Sequence, residues 1–150
     1  APVAAYTPAE ARETRLLLAV YRLTGAAGFI RAAVAEALLA PATRERDPEA
    51  VTYVRSQLGG ADRRLLRNAV ESISLGREDL TGRLPDIRVR TLFVTGANHA
   101  GFTPDQARAA IALVPGGKLA IVADAAYLAP LEQPCETARV MQEFWAATLR

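Results

Sequence analysis

From Pro8 to Leu75 the apolar positions recur at the spacing of helices that bury one face, whereas beyond Val89 they bunch into two short continuous runs, the pattern of strands covered on both sides. Thr7, Pro8 and Glu10 form a capping box that opens a first helix, whose stripe runs through Ala11, Arg15 and Leu18 to about Thr24, with Gly25 as its stop. A second helix is predicted over Gly28 to Leu39, ending before Pro41. The polar string PATRERD that follows reads as a solvated connection. Asp47 then caps a helix with Pro48 at its first position and Val51, Val54 and Leu58 on one face, as far as Gly59-Gly60. A fourth helix, from Asp62 to Leu75, puts Leu65, Leu66, Ala69, Val70 and Ile73 on its apolar side and ends at Gly76. A short helical turn is expected at Glu78 to Leu80, before Pro85.

In the second half, Leu92, Phe93 and Val94 belong to a strand that ends at Gly96, and Leu119 to Val122 form another that ends at Ala123. Between them Thr103, Pro104 and Gln106 make a second capping box, opening a short helix that stops before Pro115-Gly116-Gly117. Strand, helix and strand are one crossover unit of an α/β sheet, and such sheets carry their chemistry on the loops that follow the strands. A last amphipathic helix is predicted from about Cys135 to Leu149, with Ala138, Met141, Phe144 and Trp145 toward a core. Two strands alone make a sheet of marginal stability with unpaired backbone on both outer edges. The pattern therefore describes an α/β fold with an incomplete sheet that needs a companion segment.

Composition narrows the class. A chain of 150 residues with 51% hydrophobic content holds enough apolar material for one core. The formal net charge of +2 is near neutral and no block of Lys or Arg stands out, which argues against nucleic acid as a partner. One cysteine, Cys135, excludes an intrachain disulfide and fits a reducing, cytoplasmic setting. No apolar segment approaches the roughly 20 residues of a membrane span. The start, APVAAYTPAE, lacks the basic and apolar regions of a signal peptide, and Ala1 has two readings, removal of an initiator methionine or a cut end.

The string LPDIRVRTLFVTG, followed by TPDQA, VPGGKLAIV and AAYLAPLEQP ahead of an amphipathic helix ending in FW, resembles the C-terminal third of the α/β-hydrolase superfamily. The helices from Pro8 to Leu84 resemble that family's lid. The resemblance covers essentially the whole chain and implies a helical lid over residues 1–84, with the last strand, helix, strand and helix of the core over 85–150. It also implies a small, largely apolar substrate, no cofactor and no metal. The family's nucleophile, a serine in a Gly-x-Ser-x-Gly elbow, lies N-terminal to the lid, so it is expected on a missing N-terminal segment or companion chain. The nearest string here surrounds Ser74 at the end of an amphipathic helix with no strand before it, outside the context the elbow requires.

The other two triad positions fall within this chain, and both are altered. In the family the loop after the seventh strand carries the carboxylate, in strings like G-x-x-D, and the loop after the eighth carries histidine, in strings like G-H-L followed by P-x-E-x-P. Here the loops read Gly96-Ala97-Asn98-His99 and Ala126-Tyr127-Leu128. His99 thus stands where the acid is expected, and Tyr127 where the base is. Tyrosine does not act as a neutral-pH base without a large shift from about 10. His99 has the reference pKa of a base, or is a loop histidine left after an acid was lost. Tyr127 is either a hydrogen-bond donor or general acid, or a plug of the vacated pocket. Asp124 orients a histidine or accepts a proton, or simply forms a turn. Asp105 reads as a stabiliser of its helix N-terminus, Cys135, Phe144 and Trp145 as structural, and the lid arginines as a solvated face.

Two functions of different classes remain. One is an enzyme, carrying out ester or amide hydrolysis or a non-hydrolytic conversion, with His99, Tyr127 and Asp124 as catalytic candidates. The other is a catalytically silent pseudoenzyme subunit or ligand-binding module that completes a partner's fold.

Overall fold

The computed structural model describes residues 4–147, so Ala1 and the predicted helix end at Leu149 lie outside it. Among the described residues five helices precede the sheet: α1 (Pro8–Thr24), α2 (Gly28–Leu38), α3 (Pro41–Arg46), α4 (Pro48–Gly60) and α5 (Arg63–Val70). The local caps explain where they start. Thr7 Oγ1 accepts the Glu10 N–H at 3.3 Å while the Glu10 carboxylate accepts the Thr7 N–H at 2.7 Å, so the helix's orphan donors are satisfied reciprocally. Asp47 and Asp62 accept the N–H groups of Ala50 (2.9 Å) and Leu65 (2.8 Å) in the same way.

Three expectations for this half are corrected. PATRERD is not a solvated connection but helix α3, because Pro41 presets the first turn and Thr43 is buried against the second half of the chain. The turn expected at Glu78–Leu80 forms instead as a 3-10 turn at Thr81–Asp86, whose start is held by the Asp79 carboxylate accepting the Thr81 N–H at 2.8 Å. The helix predicted to Leu75 passes at Val70 into a π-helical turn, Glu71–Leu75. Its apolar side is partly open, with Leu65 and Ile73 each 68% exposed while Leu66, Ala69 and Val70 are half-buried.

The sheet consists of β1 (Leu92–Gly96) and β2 (Lys118–Val122), parallel and in register from Leu92 opposite Lys118 to Gly96 opposite Val122. Helix α6 (Pro104–Ile111) crosses between them, opened by the second capping box. Alternation along the strands divides the core. Phe93 and Leu119 face the cluster of Leu84, Phe102, Ala107, Ala110, Ile111 and Val114, while Val94 and Val122 pack with Ala125 and Ala129 on the other side. The strands were expected to be buried on both faces, yet only Thr95, Gly96 and Val122 are buried. Both outer edges are unpaired among the described residues, which leaves the remaining positions half open.

The chain continues through α7 (Ala129–Glu132) into α8 (Pro134–Ala146). Thr137 is buried and its hydroxyl donates to the Ala129 carbonyl at 3.1 Å. That anchor turns Thr137, Val140 and Phe144 inward, about one residue of rotation from the predicted face. Ala138, Met141 and Trp145 consequently point outward, and Trp145 is 54% exposed. Cys135 is also exposed rather than structural. A third apolar cluster, of Ala35, Leu39 and Val54 with Leu128 and Leu131, joins the helical half to the loop after β2.

Candidate active site

The strand ladder does not stop where the strands do. The Ala97 N–H donates to the Val122 carbonyl at 2.8 Å and the Asn98 N–H to the Ala125 carbonyl at 2.9 Å, drawing the two following loops together. Gly96 makes that approach possible, since a Cβ there would lie 2.3 Å from both the Ala125 and Ala126 carbonyl oxygens. These are backbone atoms that cannot rotate away. Gly96→Ala is expected to cost about 3 kcal/mol, the upper range for forced overpacking, and the check is a lower urea midpoint at unchanged slope.

The consequence is that His99 and Tyr127 stack, with ring centroids 3.8 Å apart and planes 28° from parallel. His99 also meets buried Phe102 edge-on at 6.4 Å. The Phe102 N–H donates to His99 Nδ1 at 2.9 Å, and the Phe102 carbonyl accepts from Thr95 Oγ1 at 3.0 Å. Tyr127 is tied to the helical half by its own N–H, which donates to the Leu38 carbonyl at 3.2 Å. Its ring end lies over Gly101, where a Cβ would come 2.4 Å from the phenol oxygen. Both side chains are therefore held from two directions.

Burial sets their charge. Desolvation lowers the His99 pKa from its usual 6.5 and raises that of Tyr127 from its usual 10. Both rings are neutral at pH 7. Because Nδ1 accepts from Phe102, the proton of neutral His99 sits on Nε2. With the folded pKa of His99 below the unfolded value, the unfolded chain takes up the proton first, so stability is complete above about pH 6.5 and declines as pH falls below it. For Tyr127 the raised value means stability is complete below about pH 10 and declines above it. The His99 Cε1–H resonance is expected to titrate with a midpoint below 6.5; a midpoint at or above that value contradicts the buried, Phe102-bonded ring.

Asp124 does not join the pair. It takes a positive φ of 51° in the turn after β2, and its carboxylate lies 3.7 Å from Arg46 of α3. Among the described residues no carboxylate hydrogen-bonds His99. Asp105 pairs with Arg108 at 2.6 Å in the first turn of α6, and Ser74 lies half-buried in the π-helical turn. Among the described residues no group of His, Cys, Asp and Glu side chains is placed to hold a metal, and no helix is long and apolar enough to cross a membrane.

No family profile and no curated protein matches this sequence. Solved structures do match. A thermophilic esterase from Thermogutta terrifontis is similar with a TM-score of 0.86 at 23% identity, covering 97% of this chain and 53% of that one. A hydrolase from Pseudomonas aeruginosa gives a TM-score of 0.81 at 21% identity, over 95% and 52%. The enol-lactonase from Burkholderia xenovorans gives 0.75 at 22%, over 86% and 48%. The fold is that of the C-terminal portion of an α/β-hydrolase. The chain spans about half the length of the structures it matches.

In this α/β-hydrolase fold the site is organised by a residue that sequence reasoning passed over. Glu132 Oε1 accepts the N–H groups of Ala126 (2.7 Å) and Leu128 (3.3 Å), on either side of Tyr127. Its Oε2 accepts the Ala40 N–H (2.6 Å) and the Thr43 hydroxyl (3.0 Å), at the start of α3. One half-buried carboxylate thus binds the Tyr127 loop to the helical half. The signal was the glutamate of the P-x-E-x-P string, Pro130 to Pro134, a charged residue set inside an apolar stretch.

Proposed function

We propose that this chain is the lid, residues 1–84, and the end of the core, residues 85–150, of an α/β-hydrolase-like protein that acts on a small, largely apolar substrate. His99 and Tyr127 take the acid and base positions of the triad, and the nucleophile comes from the N-terminal segment or companion chain that completes the sheet. The carrying observation is the stacked His99–Tyr127 pair at the C-terminal ends of the strands, where α/β folds bind ligands. The unpaired sheet edges and the exposed Leu16, Leu23, Leu65 and Ile73 support a companion over both the sheet and the lid. The esterase and the enol-lactonase among the matched structures favour an ester or lactone as substrate class.

In this reading the pair donates rather than abstracts. His99 offers Nε2–H and Tyr127 its phenol proton, two neutral donors suited to negative charge developing on a carbonyl oxygen. His99→Ala and Tyr127→Phe are each expected to lower kcat for p-nitrophenyl butyrate about 100-fold in the full-length protein. Wild-type turnover in both variants would remove the pair from the reaction. The catalytically silent reading is favoured by one observation, the absence of a carboxylate bonded to His99 among the described residues. It expects no wild-type turnover above buffer with ligand binding intact.

A further inference from the structure

The face of β1 that carries Phe93 carries Thr95 two residues on, because successive strand residues point to opposite sides of a sheet. It is the face against which the cluster of Phe102, Ala107 and Ile111 packs. Thr95 is 2% exposed, so its hydroxyl is shut off from water and needs an acceptor within the protein. Valine has the same shape, suits a strand equally well and brings no such requirement.

Two carbonyls stand within reach of that hydroxyl, and each belongs to a residue that holds His99. Thr95 Oγ1 lies 3.0 Å from the Phe102 carbonyl oxygen and 3.5 Å from that of Gly96. The Gly96 carbonyl accepts the His99 N–H at 3.2 Å, closing the turn after β1, and the Phe102 N–H donates to His99 Nδ1 at 2.9 Å. A hydroxyl has one proton to give, and the shorter contact assigns it to Phe102. Between His99 and Phe102 stand Ala100 and Gly101, neither of which has a polar side chain with which to fix the loop. The place of the Phe102 N–H is therefore set from the Phe102 side, by the Thr95 hydroxyl on its carbonyl and by the Phe93 ring, 6.2 Å away between centroids, against its own.

We propose that Thr95 is a positioning residue for His99. By holding the Phe102 carbonyl it keeps the Phe102 N–H on Nδ1, which keeps the ring's proton on Nε2 and the ring in its stack with Tyr127. A neutral imidazole without a donor at Nδ1 exchanges between two tautomers, and the one protonated on Nδ1 offers no proton at Nε2. The effect of Thr95 on the ring stands by itself; its effect on rate rests on the reading of His99 as a donor.

The test compares Thr95→Val, which keeps the shape and removes the hydroxyl, with Thr95→Ser, which keeps the hydroxyl, in the full-length protein. The ¹⁵N resonances of the His99 ring are read at about pH 8, where the imidazole is neutral, together with hydrogen exchange of the Phe102 amide. Wild type is expected to show Nδ1 as a bare acceptor and Nε2 as protonated. Thr95→Val should move both resonances toward the average of the two tautomers and lower the protection of the Phe102 amide about 10-fold, while Thr95→Ser keeps them near wild type. Val94→Ala, on the opposite face of β1, should lower stability and leave the ring resonances in place. The kcat for p-nitrophenyl butyrate should fall about 10-fold in Thr95→Val at unchanged KM, and adding Thr95→Val to His99→Ala should cause no further loss. Unmoved ring resonances in Thr95→Val, or equal shifts in Thr95→Ser or in Val94→Ala, would each overturn the proposal. Moved resonances with wild-type turnover would uphold the positioning of His99 and overturn instead the part of His99 in the reaction.

Discussion

The double variant His99→Asp/Tyr127→His is expected to turn over p-nitrophenyl butyrate in the full-length protein about 10²- to 10⁴-fold faster than either single variant, the contribution of a positioned general base. The rings stand 3.8 Å apart between centroids, so a carboxylate at position 99 comes within hydrogen-bond reach of an imidazole at 127. It would then hold the tautomer and stabilise the cation formed as the nucleophile gives up its proton. Gly101 leaves open the space now under the Tyr127 ring end. Each single change is expected to lower turnover, because it removes one of the two donors without completing a base. Tyr127→His alone lacks a carboxylate, and His99→Asp alone sets one beside a phenol, so the two effects should be strongly non-additive. The introduced imidazole should also titrate above 6.5, because its new partner favours the charged form. A double variant no faster than the better single one, with that titration in place, would show that the companion presents no nucleophile to this position.

Glu132→Ala is expected to be the most destabilising single substitution outside the core, at about 3–5 kcal/mol. It leaves the Ala126, Leu128 and Ala40 amides and the Thr43 hydroxyl without their acceptor. Half-buried donors that lose a charged partner cost roughly 1–3 kcal/mol each when water only partly replaces it. Glu132→Gln should cost about half as much, because the amide keeps one acceptor oxygen but turns an NH₂ toward two donors. Urea unfolding measures the totals. Amide hydrogen exchange locates the effect, with the Ala40 and Ala126 amides losing protection together while those of α6 keep it. If Ala40 and Ala126 respond separately, Glu132 does not couple the helical half to the Tyr127 loop.

What was legible in the chain follows from the range of the forces involved. The capping boxes at Thr7 and Thr103 and the aspartate caps at positions 47 and 62 were readable because each closes over three residues. The parallel crossover was readable because two apolar runs separated by a capped helix admit few arrangements. The positions of His99 and Tyr127 at the strand ends followed from the same pattern together with the family resemblance.

The remainder depended on partners distant in sequence. PATRERD looked like a polar connection because Glu132, which accepts from Ala40 and Thr43, lies 92 and 89 residues away from them. The inward face of α8 was misread by one residue because the Thr137 hydroxyl, not apolar periodicity, sets its rotation against Ala129. The apolar side of α5 was assigned correctly as a stripe, yet periodicity does not say whether anything covers it. By itself the sequence determined the elements, their caps and the two loops at which chemistry is expected, since these are local or nearly so. Only the tertiary structure decided that His99 and Tyr127 stack, that Phe102 occupies Nδ1 and that Asp124 turns to Arg46. Those outcomes depend on the register of the two strands and on a carboxylate that bridges the two halves of the chain, and neither has a signature within one stretch of sequence.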